Sequence, residues 1–155
     1  MSVMEHPYSI DAGSRDARAV VVGAAVTVGG SLVVTTVIGI AAITGMLIRG
    51  ASPDRIAAEL PRSLALAVFV ALGGLLMSAA GGYTAAAMAP NRRYWHALAA
   101  SILAAGASVA LLPVWGESPT DWLTAISLAL IVPCGIVGAW LAMPMQVLTS
   151  APQKR

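Results

Sequence analysis

The 155-residue chain is 58% hydrophobic and only 10% charged, whereas a soluble domain carries about 25% charged residues, so a water-soluble globule is excluded. Nine basic and seven acidic residues leave a net charge of +2, too small and too scattered to mark a nucleic-acid surface. This length holds four membrane spans and little else, with no room for an extramembrane catalytic domain, and the lone Cys134 leaves the redox compartment open.

The charges are spaced by long silences. No Asp, Glu, Lys, Arg or His falls between Arg18 and Arg49, Arg62 and Arg92, His96 and Glu117, or Asp121 and Lys154. A bilayer core takes about 20 apolar residues per helix. The four gaps therefore predict an all-α integral membrane four-helix bundle, up-down-up-down, with spans over residues 19–48, 63–89, 94–114 and 122–143.

Residues 1–18 mix Glu5, Asp11, Arg15, Asp16 and Arg18 with Pro7 and Gly13, and read as an exposed, weakly ordered tail. The first apolar stretch is about twice the length of a signal h-region, so it reads as a retained anchor. At about 1.5 Å per residue it also exceeds a 30 Å core and must tilt or begin as an interfacial turn.

In the loop 49–62, Ser52-Pro53-Asp54 combines a side-chain cap, a preset φ and an acid at the positive end of the dipole. It predicts a short surface helix over residues 53–60, with Ile56, Ala57 and Leu60 facing lipid headgroups and Pro61 ending it. The second span stops at Pro90-Asn91. The turn 90–93 is short, which makes the second and third spans an antiparallel hairpin. A tight acidic turn, 115–121, joins the third span to the fourth, and residues 144–155 form a basic tail.

Trp95 and Trp115 bracket the third span, and Trp122 and Trp140 the fourth. Indole prefers the membrane interface, where its ring is apolar and its N–H meets water. Six of the nine basic residues lie in the two tails and the 90–93 turn, so the positive-inside rule places both termini in the cytoplasm. Arg49, Arg55 and Arg62 oppose that trend.

Burial does not drive helix association in lipid; close packing and interhelical hydrogen bonds do. Gly74, Ser78, Gly82 and Ala86 make an unbroken small stripe on the second span, and Ala97, Ser101 and Ala105 a matching one on the third. The first span carries the pairs Ala25/Gly29 and Thr35/Gly39. The Gly74–Ala86 stripe is expected to form the tightest contact in the protein, against the third span, with a homodimer seam as the competing assignment. Pro133, midway along the fourth span, lacks an N–H and crowds the carbonyl of Ala129, so a kink is expected there, read as a static bend rather than a gating hinge.

Chemistry is sparse. His96 sits beside Arg92 and Arg93 with no carboxylate near it in sequence and no second histidine inside a span, so it reads as an interfacial polar residue rather than a haem ligand. Cys134 follows Pro133 as in metal-transporting helices, but such sites need several soft ligands, and Met143 and Met145 lie too far along the helix. Cys134 reads as polarizable core filler. Thr27, Ser31, Thr35, Thr36 and Thr44 could line a polar path, or bond back to their own helix. No span holds an acid, which argues against small proton-coupled drug exporters, and no hydrolase signature is present. No catalytic residue, cofactor or metal is expected.

The run Gly81-Gly82-Tyr83-Thr84-Ala85-Ala86, then Pro90-Asn91-Arg92-Arg93 and His96-Ala97, resembles a pattern in small, uncharacterised bacterial four-span membrane proteins. It covers about a sixth of the chain. The resemblance implies a fold and a compartment but no activity, and no functional residue is carried over from it.

The sequence thus predicts a multi-pass protein of a bacterial inner membrane whose first partner is the bilayer. The leading function is a non-enzymatic structural or accessory component acting through helix contacts, with itself or with a larger membrane complex. The alternative is a transporter or channel subunit with a hydroxyl-lined path. No nucleic-acid partner is expected.

Overall fold

A computed structural model of the chain describes residues 10–89, 92–115 and 121–149, with side chains described over 16–89, 92–111 and 122–142. Five α-helices follow in order: α1 (Ile10–Ile48), α2 (Pro53–Glu59), α3 (Leu64–Met88), α4 (Arg93–Trp115) and α5 (Asp121–Thr149), with a 3₁₀ turn (Leu60–Arg62) between α2 and α3. Four of them, α1, α3, α4 and α5, are long and apolar enough to cross a bilayer. The protein is an all-α, multi-pass membrane bundle, and no strand occurs among the described residues.

The helix boundaries have local causes. α1 ends at Gly50, whose φ of +78° only glycine adopts without strain. Gly50 N donates to Leu47 O at 2.9 Å and Ala51 N to Met46 O at 3.1 Å, the paired bonds of a Schellman C-cap. Ser52 caps α2 by accepting from Arg55 N at 3.4 Å, and Ser63 caps α3 by accepting from Leu66 N at 3.3 Å. Two expectations need correcting here. Residues 10–18 are the first turns of α1 rather than part of a loose tail, and α5 continues through Pro144 to Thr149. Of Ile56, Ala57 and Leu60, expected to face headgroups, only Ala57 is exposed, while Ile56 is buried and Leu60 half-buried.

α3 is the centre of the bundle. It packs most extensively against α1 on one side and α5 on the other, while α4 lies against all three. The register is antiparallel for α1–α3, where Gly23 meets Ala85, Gly30 meets Met77 and Gly73 meets Val34. It is parallel for α3–α5, where Gly82 faces Gly135 and Ala86 packs beside Ala139 and Ala142, and antiparallel for α4–α5, where Ser101 faces Gly135 and Ala97 joins the Ala139 cluster. The neighbour order around the bundle is therefore α1, α3, α5, α4, not the chain order.

The adjacent glycines of α3 explain this arrangement. Consecutive helical residues point about 100° apart, so Gly81 and Gly82 serve different neighbours. A Cβ on Gly81 would run into Thr27 Oγ1 and the Gly23 carbonyl, and one on Gly82 into the Gly135 carbonyl, with Gly135 Cα at 2.7 Å. A Cβ on Gly138 would meet the Ala79 carbonyl and Tyr83 N, the latter at 2.9 Å. At these places a glycine Cα–H points at a carbonyl across the seam, a weak interaction of about 0.5–1 kcal/mol. Dispersion along backbones brought this close adds to it.

Candidate functional site

The helix-packing residues read from sequence are brought together, but not as expected. Ser78, Gly82, Ala86, Ala97 and Ser101 are all buried, and Ala86 and Ala97 form one cluster with Ala139 and Ala142 of α5. Gly74 is half-buried, with Ser31 Oγ of α1 at 3.8 Å from a Cβ position, and Ala105 is half-buried. The stripe's expected partner was the third span, α4. The structure puts Gly82 against Gly135 of α5 instead. The reason is steric: no glycine of α4 faces α3, since Gly106 has nothing within 4 Å of its Cβ position. α5 supplies Gly135 and Gly138, and backbone approach needs a glycine at the crossing. Gly23, Gly81, Gly135 and Gly138 were not singled out by four-residue spacing, because glycines that meet across a seam belong to different helices.

The second constellation is one that sequence spacing missed. His96, 7% exposed, sits one turn into α4 with its ring against the start of α1. Its Nε2 lies 3.2 Å from Asp16 Oδ1, and its Nδ1 lies 2.8 Å from the Arg92 carbonyl oxygen. Asp16, remote in sequence, is delivered because α1 and α4 run parallel from the same end of the bundle. Both ring nitrogens face oxygen acceptors. A neutral imidazole has one N–H and satisfies one of them, whereas the imidazolium donates to both. Asp16 is largely exposed, so water reaches the pair, and with Val20, Arg92, Trp95 and Ala99 it lines a shallow cleft of about 390 Å³.

Thr27 donates to Gly23 O at 3.2 Å, Thr36 to Leu32 O at 2.8 Å, and Ser127 to Leu123 O at 2.8 Å, each one turn back on its own helix. Thr27 is buried against α3, while Thr36 and Thr44 face outward. They therefore sit on different sides of α1.

α5 remains one helix on both sides of Pro133, whose side chain is exposed. Cys134 is half-buried and free. Among the described residues no group of three or more His, Cys, Asp or Glu could hold a metal. The side chains of Met143 and Met145 lie outside the described residues.

Trp95, Trp122 and Trp140 point outward. Trp115 is the last residue of α4, and its side chain also lies outside the described residues. In the antiparallel α4–α5 register, Trp140 is level with His96 and Trp95, although nine residues of α5 follow it. From Trp95 to Trp115 is about 30 Å at 1.5 Å per residue, the thickness of a bilayer core. The Asp16–His96 pair therefore sits at one membrane edge.

No protein-family model matches this chain, and no curated protein or solved structure does either.

Proposed function

We propose that the protein is a non-enzymatic structural or accessory component of a bacterial inner membrane, with both termini cytoplasmic, that acts through helix contacts with a second copy or a larger complex. The observation that carries this reading is on the lipid-facing side of α1. Ala25 and Gly29, four residues apart, are both exposed, and a Cβ on Gly29 would have nothing within 4 Å. Gly106 on α4 is equally open, at the same depth.

A glycine inside a helix costs about 1 kcal/mol relative to alanine, and nothing within the chain uses these two positions. Small residues on a lipid face permit close approach by another helix. The inner seams are already closed at backbone contact, and the hydroxyls of Thr27, Thr36 and Ser127 are engaged with their own helices, which weighs against a conducting path. The placement of six of nine basic residues supports the orientation.

Gly29→Leu and Gly106→Leu separate assembly from folding, because the space beside both is open. The expected result is loss of self-association, or of a co-purifying membrane complex, in mild detergent at undiminished thermal stability. A protein that runs as a lone monomer with no companion, before and after substitution, would defeat the proposal. Labelling of cysteines placed at Ser31, Thr35 and Ser127 by water-soluble reagents at mid-membrane depth would favour the transporter or channel reading instead.

A further inference from the structure

The end of the bundle opposite His96 carries an open groove of about 680 Å³ between the last turns of α1, helix α2, the 3₁₀ turn and the start of α3. Its floor is apolar, formed by Ala42, Gly45, Met46 and Leu66, and its rim carries Arg49 and Arg62. We propose that this groove binds an anionic phospholipid, its phosphate held between Arg49 and Arg62 and the upper part of its acyl chains laid along the apolar floor.

Charge and shape agree on this occupant. Glu59, the acid on the rim, is taken up by Arg55, whose Nε donates to Glu59 Oε1 at 2.7 Å. Among the described residues, neither Arg49 nor Arg62 has a carboxylate partner, and both are exposed. Two exposed guanidiniums thus line one groove together with apolar residues. A guanidinium offers a planar fork of donors that matches phosphate oxygens.

Helix α2 lines the groove through Ala58 and Glu59, with Ile56 buried and Ser52 capping its first turn. Flanking residues Leu47, Ile48 and Leu64 are exposed, so the groove opens to lipid rather than to the bundle interior. An amphiphile with an anionic head and apolar tail satisfies both halves; a soluble anion leaves the apolar floor uncovered. This also gives a use to two of the three arginines that run against the charge bias of the chain.

The test is native mass spectrometry of the purified full-length protein in mild detergent, with phosphatidylglycerol or phosphatidylcholine of identical chains. Each basic residue at a membrane surface contributes about fivefold to the affinity for an anionic headgroup. Retention of phosphatidylglycerol over phosphatidylcholine is expected, falling about fivefold in Arg49→Gln and again in Arg62→Gln. Glu59→Gln, which removes the rim's negative charge, should raise retention. Arg18→Gln, at the opposite end, should leave it unchanged. Circular dichroism confirms that these exposed substitutions leave the helices intact. Equal retention of the two lipids, an equal loss in Arg18→Gln, or displacement of phosphatidylglycerol by millimolar inorganic phosphate would overturn the assignment.

Discussion

Replacing Gly82 by alanine adds a single methyl group, and the structure fixes where it goes. The new Cβ would lie 2.6 Å from the carbonyl carbon of Gly135 and 2.7 Å from its Cα, with the carbonyl oxygen closer still, whereas ordinary contact begins at 3.4 Å. The obstacle is backbone, which has no rotamer to change, so α3 and α5 must separate by about 1 Å. A gap of that size forfeits roughly a quarter to a half of the dispersion of each contact along the seam. Overpacking of this kind costs about 1–3 kcal/mol, and alanine's better helix propensity returns at most about 1 kcal/mol. A net loss of about 1–2 kcal/mol is expected, read as a lower midpoint in thermal or SDS-titrated unfolding in mild detergent. Gly29→Ala is the control. It has open space and should gain up to about 1 kcal/mol from propensity alone. If Gly82→Ala unfolds at or above the wild-type midpoint, the close α3–α5 crossing is not what holds the bundle.

Three further outcomes follow from the same geometry. Gly82→Ala and Gly135→Ala open one seam, so the double variant should lose less than the two single losses added together, with a coupling of at least about 0.5 kcal/mol; strict additivity in a double-mutant cycle would contradict this. Asp16→Asn should cost no more than about 1 kcal/mol, since its carboxylate is largely exposed and water screens the pair. His96→Ala should cost about 2 kcal/mol through the space left between α1 and α4, and equal effects at the two positions would reverse the ranking of packing over charge. Thr36→Val should be neutral within about 0.5 kcal/mol. Thr27→Val should destabilise clearly, because it puts a methyl where the hydroxyl now meets Gly81; unfolding midpoints of the two variants side by side decide it.

The sequence by itself determined that this chain crosses a membrane four times, because hydrocarbon accepts only long uncharged stretches with their backbone bonded internally. It also determined where turns fall, since capping and proline are local effects: Ser52 and Pro53 start α2. Which helix meets which was decided only by the tertiary structure. A small-residue stripe states that a backbone can be approached and leaves the partner unnamed. The glycine opposite Gly82, Gly135, lies more than fifty residues away on α5. A parallel start of α1 and α4, set by packing rather than by any local signal, likewise carried Asp16 to His96. The groove at Arg49 and Arg62 exists because Ile56 folds inward; the sequence supplies the amphipathic turn, and only the neighbouring helices say which side it shows.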